Sequence, residues 1–341
     1  MNAEDAAANT PQIDPAQTHQ VSQWKHERPL IACRYDPSGK YVFTGAEDNA
    51  LTRWDLATGA ATAYSGHDSW VRAIAFSSSE NVVFSGGYDG RIFCWPISAE
   101  MPMPIRQVQA HDGWVRALAM SPDNKRLASC GNDRLVKIWN ASDGNLELTL
   151  AGHESHVYNV AFHPTEASLV SFDLKGNLKH WDLATGEVKR DIAATVLYKY
   201  DTQFRADIGG ARGIAFSRDG KQLAISGITN VSNAFAGIGN PAVVLLDWET
   251  GKPVVQYEGK EKINGVAWGV RQCPAGFWVG LSGGGGGGWL YFWRDAAADE
   301  FFKFKLPDTG RDLDLHPDGT QLAVAHADRH VRIYGLFAKA K

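Results

Sequence analysis

An all-β fold built from seven repeats of a four-stranded antiparallel unit is what this sequence predicts, and three observations carry the prediction. The 341 residues include 35 glycines and 12 tryptophans but only 4 cysteines and 4 methionines, a balance of tight turns and aromatic anchors that suits strands rather than helices. A segment recurs: Ser85–Trp95 (SGGYDGRIFCW) lines up with Ser129–Trp139 (SCGNDRLVKIW), and the same frame fits Thr44–Trp54 and Ser171–Trp181. Looser copies end at Trp248, Trp293 and Tyr334, and the intervals between closing aromatics are 41, 44, 42, 67, 45 and 41 residues. A fixed period of that length marks a repeat architecture.

Within a unit each element has its own signal. A histidine stands 18 residues before the opening Ser or Thr at His26, His67, His111 and His153. An alternating strand follows, as in Val71-Arg72-Ala73-Ile74-Ala75-Phe76. A turn comes next, with Pro second and Gly or Asn closing it: Asp36-Pro37-Ser38-Gly39, Ser121-Pro122-Asp123-Asn124 and His316-Pro317-Asp318-Gly319. Past the closing aromatic a third turn recurs at Leu56-Ala57-Thr58-Gly59, Leu183-Ala184-Thr185-Gly186 and Glu249-Thr250-Gly251. Four short strands joined by three tight turns result.

These units resemble WD40 repeats, with Gly-His at Gly66-His67 and Gly152-His153 and Trp-Asp at Trp54-Asp55 and Trp181-Asp182. The resemblance covers roughly residues 20–335 and implies a seven-bladed β-propeller. The seventh unit stops at its third strand, Val331–Tyr334, so a strand around Gln20–Trp24 is expected to complete it and close the ring. The expected organisation is a disordered acidic tail over 1–18, one propeller over 19–335 and a short C-terminal tail over 336–341.

The resemblance also implies hydrogen-bonded tetrads that tie single blades together: His26, Thr44, Asp48 and Trp54; His67, Ser85, Asp89 and Trp95; His111, Ser129, Asp133 and Trp139. Three registered Ser-His-Asp sets, each ending in a strand Trp, argue for structure rather than three catalytic triads. Blade 4 has Lys175 where the turn Asp is expected, and Asp207 and Leu306 stand in later blades where His would be. His326 and His330, four residues apart, read as a solvated turn rather than a metal pair.

Composition excludes several classes. Net charge is −4, and Glu4, Asp5 and Asp14, with no Lys or Arg in residues 1–18, account for most of it. So neutral a body does not suit non-specific nucleic-acid binding. Cys33, Cys94, Cys130 and Cys273 are scattered singly, without CxxC spacing, which points to a reducing, cytoplasmic setting. No apolar run approaches the ~18 residues of a membrane span. No nucleotide-binding glycine loop or metal-ligand spacing appears, so no cofactor or metal is expected.

In propellers of this kind the positions three and five after the histidine face the rim of one side, the top. Here they give Trp70 and Arg72, Trp114 and Arg116, His156 and Tyr158, with Pro29 and Ile31 in blade 1. Alignment on the first-strand aromatic adds Gly210 and Arg212, Lys262 and Asn264, Thr309 and Arg311, and Tyr88 precedes the turn Asp89. Arg, Trp and Tyr are the residues enriched at binding hot spots. Inserts at Ala193–Asp207 and Asn230–Asn240, and the glycine run Gly283–Gly288, belong to the same side. The expected function is a non-enzymatic scaffold, a monomer or a member of a hetero-complex. Its top face binds a protein or peptide that is acidic or bears phosphate or carboxylate. The alternative is a propeller enzyme or small-molecule binder at the channel mouth. The apolar bottom loop Met101–Pro104 is a further candidate contact.

Overall fold

Turn chemistry decides where the strands stop. Asp36, Ser121, Ser217 and His316 each accept a backbone hydrogen bond of 2.8–3.0 Å from the residue three positions on. The closing Gly39, Asn124, Gly220 and Gly319 adopt φ of 59–80°, a region open to Gly and Asn at small cost. The computed structural model describes residues 11–233, 238–294 and 296–339. Among them the strands pair into seven four-stranded antiparallel sheets and one two-stranded hairpin.

The first strands of the blades are Leu30–Tyr35, Val71–Ser77, Val115–Met120, Val157–Phe162, Gly213–Phe216, Val266–Cys273 and Gly310–Leu315. Each lies beside the first strands of the neighbouring blades, so together they line a central channel. In the seventh sheet His19–Lys25 pairs with His330–Gly335, which joins the two ends of the chain in one blade and closes the ring. Trp24 of this strand stacks on Trp54 of blade 1, with centroids 6.3 Å apart.

Seven apolar clusters hold the ring, each filling one interface between consecutive blades. The closing aromatics Trp54, Trp95, Trp139, Trp181, Trp248, Trp293 and Tyr334 are all buried in them. Residues 1–10 lie outside the described residues, but Asp14 donates its N–H to the Leu336 carbonyl at 2.7 Å and caps a 3-10 turn at Pro15–Gln17. Ile13 packs with the fully buried Leu336 between blades 6 and 7. At the other end, Leu336 also bonds Thr320 and Phe337 packs edge-on against His19, so the propeller runs past residue 335; residues 340–341 are outside the described part.

In blades 2 to 4 the tetrads form complete hydrogen-bonded chains. In blade 3 the His111 Nδ1–H faces Asp133 at 2.8 Å, while Nε2 accepts from the Ser129 hydroxyl at 2.8 Å. The Ser129 oxygen in turn accepts from Trp139 Nε1–H at 2.9 Å. The Nδ1–H tautomer makes each bond of this chain. Burial disfavours the charged Asp133, but hydrogen bonds from His111, Leu135 and Asp112 outweigh it and hold its carboxyl below the ordinary range. Blade 2 repeats the set with His67, Asp89, Ser85 and Trp95. Blade 4 is complete as well, contrary to the expectation built on Lys175. Asp173, the last residue of the second strand, meets His153 at 3.1 Å, and His153 and Trp181 both bond Ser171. Blade 1 differs the other way. His26 reaches Asp48 through Nε2 at 2.8 Å and does not touch Thr44, which bonds Trp54 alone.

Other fastenings serve the last three blades. Trp248 Nε1–H points to Glu166 of blade 4 at 3.3 Å, and Trp293 lies stacked between Tyr257 and Tyr291. In blade 7 His326 is fully buried in a strand, bonded to the Asp308 carbonyl and the Tyr334 hydroxyl. The solvated turn expected there is instead a latch. Burial, aided by Arg332, pushes the His326 pKa down to about 4, and burial with Arg190 does the same for His180. Both rings are therefore neutral in the fold. A depressed histidine stabilises the fold fully above its unfolded value of ~6.5 and loses that contribution as pH falls toward the folded value. Thermal stability is thus expected to be flat from pH 7 to 8 and to fall between about pH 6.5 and 4, by up to roughly 3 kcal/mol per histidine. A melting series against pH checks this, and a His326→Gln variant whose slope in that window equals the wild type's would contradict it.

Candidate functional site

A β-bulge aims a side chain at the top rim in blade after blade. The first strand slips register by one residue against the second between Leu30 and Ala32, Val71 and Ala73, Val115 and Ala117, Val157 and Asn159, Ala267 and Gly269, and Gly310 and Asp312. The residues at the slips are Ile31, Arg72, Arg116, Tyr158, Trp268 and Arg311. In blade 5 Arg212 stands just before the strand, its N–H bonded to the Ser226 carbonyl at 2.8 Å. A bulge twists the chain locally and turns the extra side chain out of the ladder. The pleat thus delivers one side chain per blade to the channel mouth.

Four of these side chains, Arg116, Tyr158, Arg212 and Trp268, join Trp70, Tyr88 and Trp114 in a continuous stack. Trp70 faces Tyr88 with centroids 6.0 Å apart, and Tyr88 lies flat on Trp114 at 3.9 Å and 3°. The Arg116 guanidinium is sandwiched between the Trp114 and Tyr158 rings at 4.5 and 4.4 Å. Arg212 then sits between Tyr158 and Trp268 at 5.2 and 5.3 Å. Stacking on ring faces orients a guanidinium without neutralising it. Trp70 and Trp114 remain 41% and 39% exposed.

Charge pairing is uneven. Arg34 meets Asp312 at 2.6 Å, Arg271 meets Asp314 at 2.9 Å, and Arg311 meets Glu47 at 2.7 Å. Arg72 is the second cation on Asp312, at 3.6 Å, and donates to the Ile31 carbonyl. Arg116 donates to the neutral Asn132 side chain at 2.7 Å. Arg212 has a covered Nε with no hydrogen-bond partner. Burial, then the like charges of Arg116 and Arg72, push the Arg212 pKa down, and Tyr158 only partly offsets them. Burial and Arg116 likewise lower the pKa of His156.

Two cavities meet at this point. One, of about 320 Å³, opens at the rim between Trp70, Tyr88, Tyr158, Trp268 and Arg311. The other, of about 220 Å³, lies deeper in the channel beside Arg34, Arg271 and Asp312. Arg72, Arg116, Arg212 and Asn159 line both and form the neck between them. Of the residues expected at the rim, Trp70, Arg72, Tyr88, Arg116, Tyr158, Arg212 and Arg311 line the upper cavity. Trp114 stands behind Tyr88, and His156 lies exposed outside the cavity. In blade 6 Trp268, not Asn264, is the rim residue. Asn264 lies in the loop before the strand, where its carbonyl accepts from Gly286.

The insertions build a wall on the same side. The hairpin Tyr198–Asp201/Ala206–Gly209 ties to blade 5 where Lys199 donates to the Val231 carbonyl. Gly239 bonds Gly265, and Asn264 bonds Gly286, which carries the wall across to blade 6. Residues 234–237 of the second insert are outside the described part. The glycine run is set by sterics: a Cβ at Gly283 would sit 2.3 Å from the Gly310 carbonyl oxygen, and one at Gly288 would sit 2.1 Å from that of Asp308.

The tetrad serines are not nucleophiles awaiting substrate, since Ser85, Ser129 and Ser171 are fully buried and bonded to a tryptophan. Among the described residues no group of three or more His, Cys, Asp or Glu side chains is placed to hold a metal ion. Nor is any helix among them long and apolar enough to cross a membrane.

The family model of the WD domain, G-beta repeat, matches residues 19–55, 60–96, 102–140, 144–182 and 310–335, together more than half of the chain. The protein belongs to the WD40-repeat family. Repeats 5 and 6, which lack the His and Asp of the tetrad, fall outside the matched segments, yet their sheets complete the ring. Among curated WD-repeat relatives, the chain is 26% identical over 214 residues to a periodic tryptophan protein 2 homolog of Dictyostelium discoideum, covering 62% of this chain and 22% of the relative. It is 36% identical over 164 residues to polyadenylation factor subunit 2 of Neurospora crassa, covering 48% and 24%. It is 26% identical over 210 residues to transcription initiation factor TFIID subunit 5 of Caenorhabditis elegans, covering 61% and 30%. The match thus spans less than a third of each of these relatives.

Proposed function

We propose that this propeller is a non-enzymatic interaction scaffold whose top face binds a protein or peptide segment that is acidic or carries a phosphate or carboxylate. The observation that carries the reading is the aromatic–arginine stack. Trp70, Tyr88, Trp114, Tyr158 and Trp268 offer apolar contact, while Arg116 and Arg212, held between rings, keep their charge unspent. Forked guanidinium donors suit planar or tetrahedral anions. The carboxylates at the channel are each engaged by an arginine, which leaves no free acid pair for hydrolytic chemistry. Two relatives are named as subunits, which fits a protein partner. The cytoplasmic assignment rests on four buried, unpaired cysteines, a pattern that suits any reducing compartment. Since relatives include a transcription initiation factor and a polyadenylation factor, the nucleus meets the same condition.

The test is affinity capture from lysate with wild type and the Trp70→Ala/Arg72→Ala/Trp114→Ala/Arg116→Ala variant, with melting followed for both. Loss of a captured partner by a variant that still melts cooperatively is the expected result. Unchanged capture would move the site to the bottom face or the blade edges.

A further inference from the structure

The neck between the two cavities holds more positive charge than its own carboxylates neutralise. Three arginine–carboxylate pairs, at Asp312, Asp314 and Glu47, cancel one another. That leaves Arg72, sharing Asp312 at a longer distance, and Arg116 and Arg212, which have no carboxylate partner among the described residues. The three come from blades 2, 3 and 5 and so approach the neck from different sides. Arg212 Nε is covered, so bulk water does not serve it, and no protein acceptor does either.

We infer that the neck is a phosphoryl site, at which Arg72, Arg116 and Arg212 together hold the phosphate of a phosphomonoester. The inference deepens the top-face reading and rests on it. Two features favour phosphate over carboxylate. A carboxylate brings one negative charge and two oxygens in a plane, whereas a phosphomonoester brings about two charges and three terminal oxygens pointing in different directions. Guanidiniums arriving from three sides of a ring match the second. The rest of the ligand then lies in the upper cavity, against Trp70, Tyr88 and Trp268, with the wall of blades 4 to 6 on one flank. Asn159 at the neck donates one amide N–H to the Ala211 carbonyl at 3.1 Å, which fixes the orientation of its side chain.

The first arm of the test uses simple anions. Calorimetry and thermal shift are run with inorganic phosphate, sulfate and acetate at constant ionic strength, on wild type, Arg212→Gln and, as a bottom-face control, Lys221→Gln. Phosphate and sulfate are expected to bind wild type and the control at least tenfold more tightly than acetate does, and Arg212→Gln to lose at least tenfold. Acetate binding as tightly as phosphate, or Arg212→Gln retaining wild-type phosphate binding, would overturn the inference. Should Arg212→Gln fail to fold, Arg116→Lys, which keeps charge but loses the fork, is read by the same criteria.

The second arm identifies the source with degenerate peptides bearing a central phosphoserine, glutamate or serine. Enrichment of phosphoserine alone, lost in Arg212→Gln, assigns the phosphate to a protein ligand. Anion binding without any peptide enrichment assigns it to a free phosphorylated small molecule. Equal enrichment of glutamate and phosphoserine, lost in Arg212→Gln, removes the phosphoryl site but keeps the top face. Enrichment indifferent to Arg212→Gln and to the four-residue rim variant removes both.

Discussion

Replacing Ser129 by alanine is expected to destabilise the propeller by roughly 2–5 kcal/mol, because it strands two buried polar groups at once. The Ser129 side chain is fully covered, donates to His111 Nε2 and accepts from Trp139 Nε1–H. Without it neither atom has a partner. Each orphaned group costs ~1–3 kcal/mol, where a lost but solvated hydrogen bond costs ~1. For a domain of this size the loss lowers the melting temperature by roughly 3–7 °C. Blade 1 supplies an internal control. Thr44 bonds Trp54 only, since His26 reaches Asp48 by its other nitrogen. Thr44→Val therefore strands one group, and its effect should be about half that of Ser129→Ala. Denaturant melts of the two variants decide the matter, and equal losses would show that the tetrads do not act as linked chains.

Arg116 carries the second large effect. It lies closer to its two flanking rings than Arg212 does to its own, with Trp114 at 4.5 Å and Tyr158 at 4.4 Å, and its Nε is oriented by Asn132. Arg116→Lys keeps the charge but gives up the planar fork and the stacking. Affinity for the captured partner should fall by about 30-fold, equivalent to about 2 kcal/mol, with Arg116→Ala no worse than a few-fold beyond it. Interferometry with the purified partner measures both. A lysine variant that binds like wild type would reduce the role of Arg116 to bulk charge.

Much of the fold was legible because repeats in register say the same thing many times. His-to-Ser spacing, the Pro turns and the closing aromatics each mark a different point on one four-stranded unit, and their agreement sets the blade count. The short seventh unit and the spare strand around Gln20–Trp24 point to the ring closure, and the resemblance supplies the tetrads. What escaped has physical reasons. Asp173 was overlooked because hydrogen bonding to His153 depends on where the carboxylate reaches, and an Asp at the end of the second strand reaches the same ring as one in the turn. His326 was placed in solvent because a β-turn was expected where the strand Gln321–His326 still runs. Trp268 is hidden from an alignment on first-strand aromatics because in blade 6 that aromatic is itself the rim residue. The Pro turns carried the better signal. Counting five back from the first turn residue gives Ile31 from Asp36, Arg116 from Ser121, Arg311 from His316, and Trp268 from Cys273 in Cys273-Pro274-Ala275-Gly276. The stack itself, with arginines alternating between rings from different blades, required the closed ring to bring its members together.

Site-specific photocross-linking reads the binding face without relying on destabilising variants. A photoreactive phenylalanine derivative placed at His156, exposed beside the Arg116–Tyr158 stack, is compared with one at Met103, exposed on the bottom loop. If the top face is the binding site, the His156 probe forms a discrete adduct in lysate and the Met103 probe does not. An adduct confined to Met103 would contradict the account.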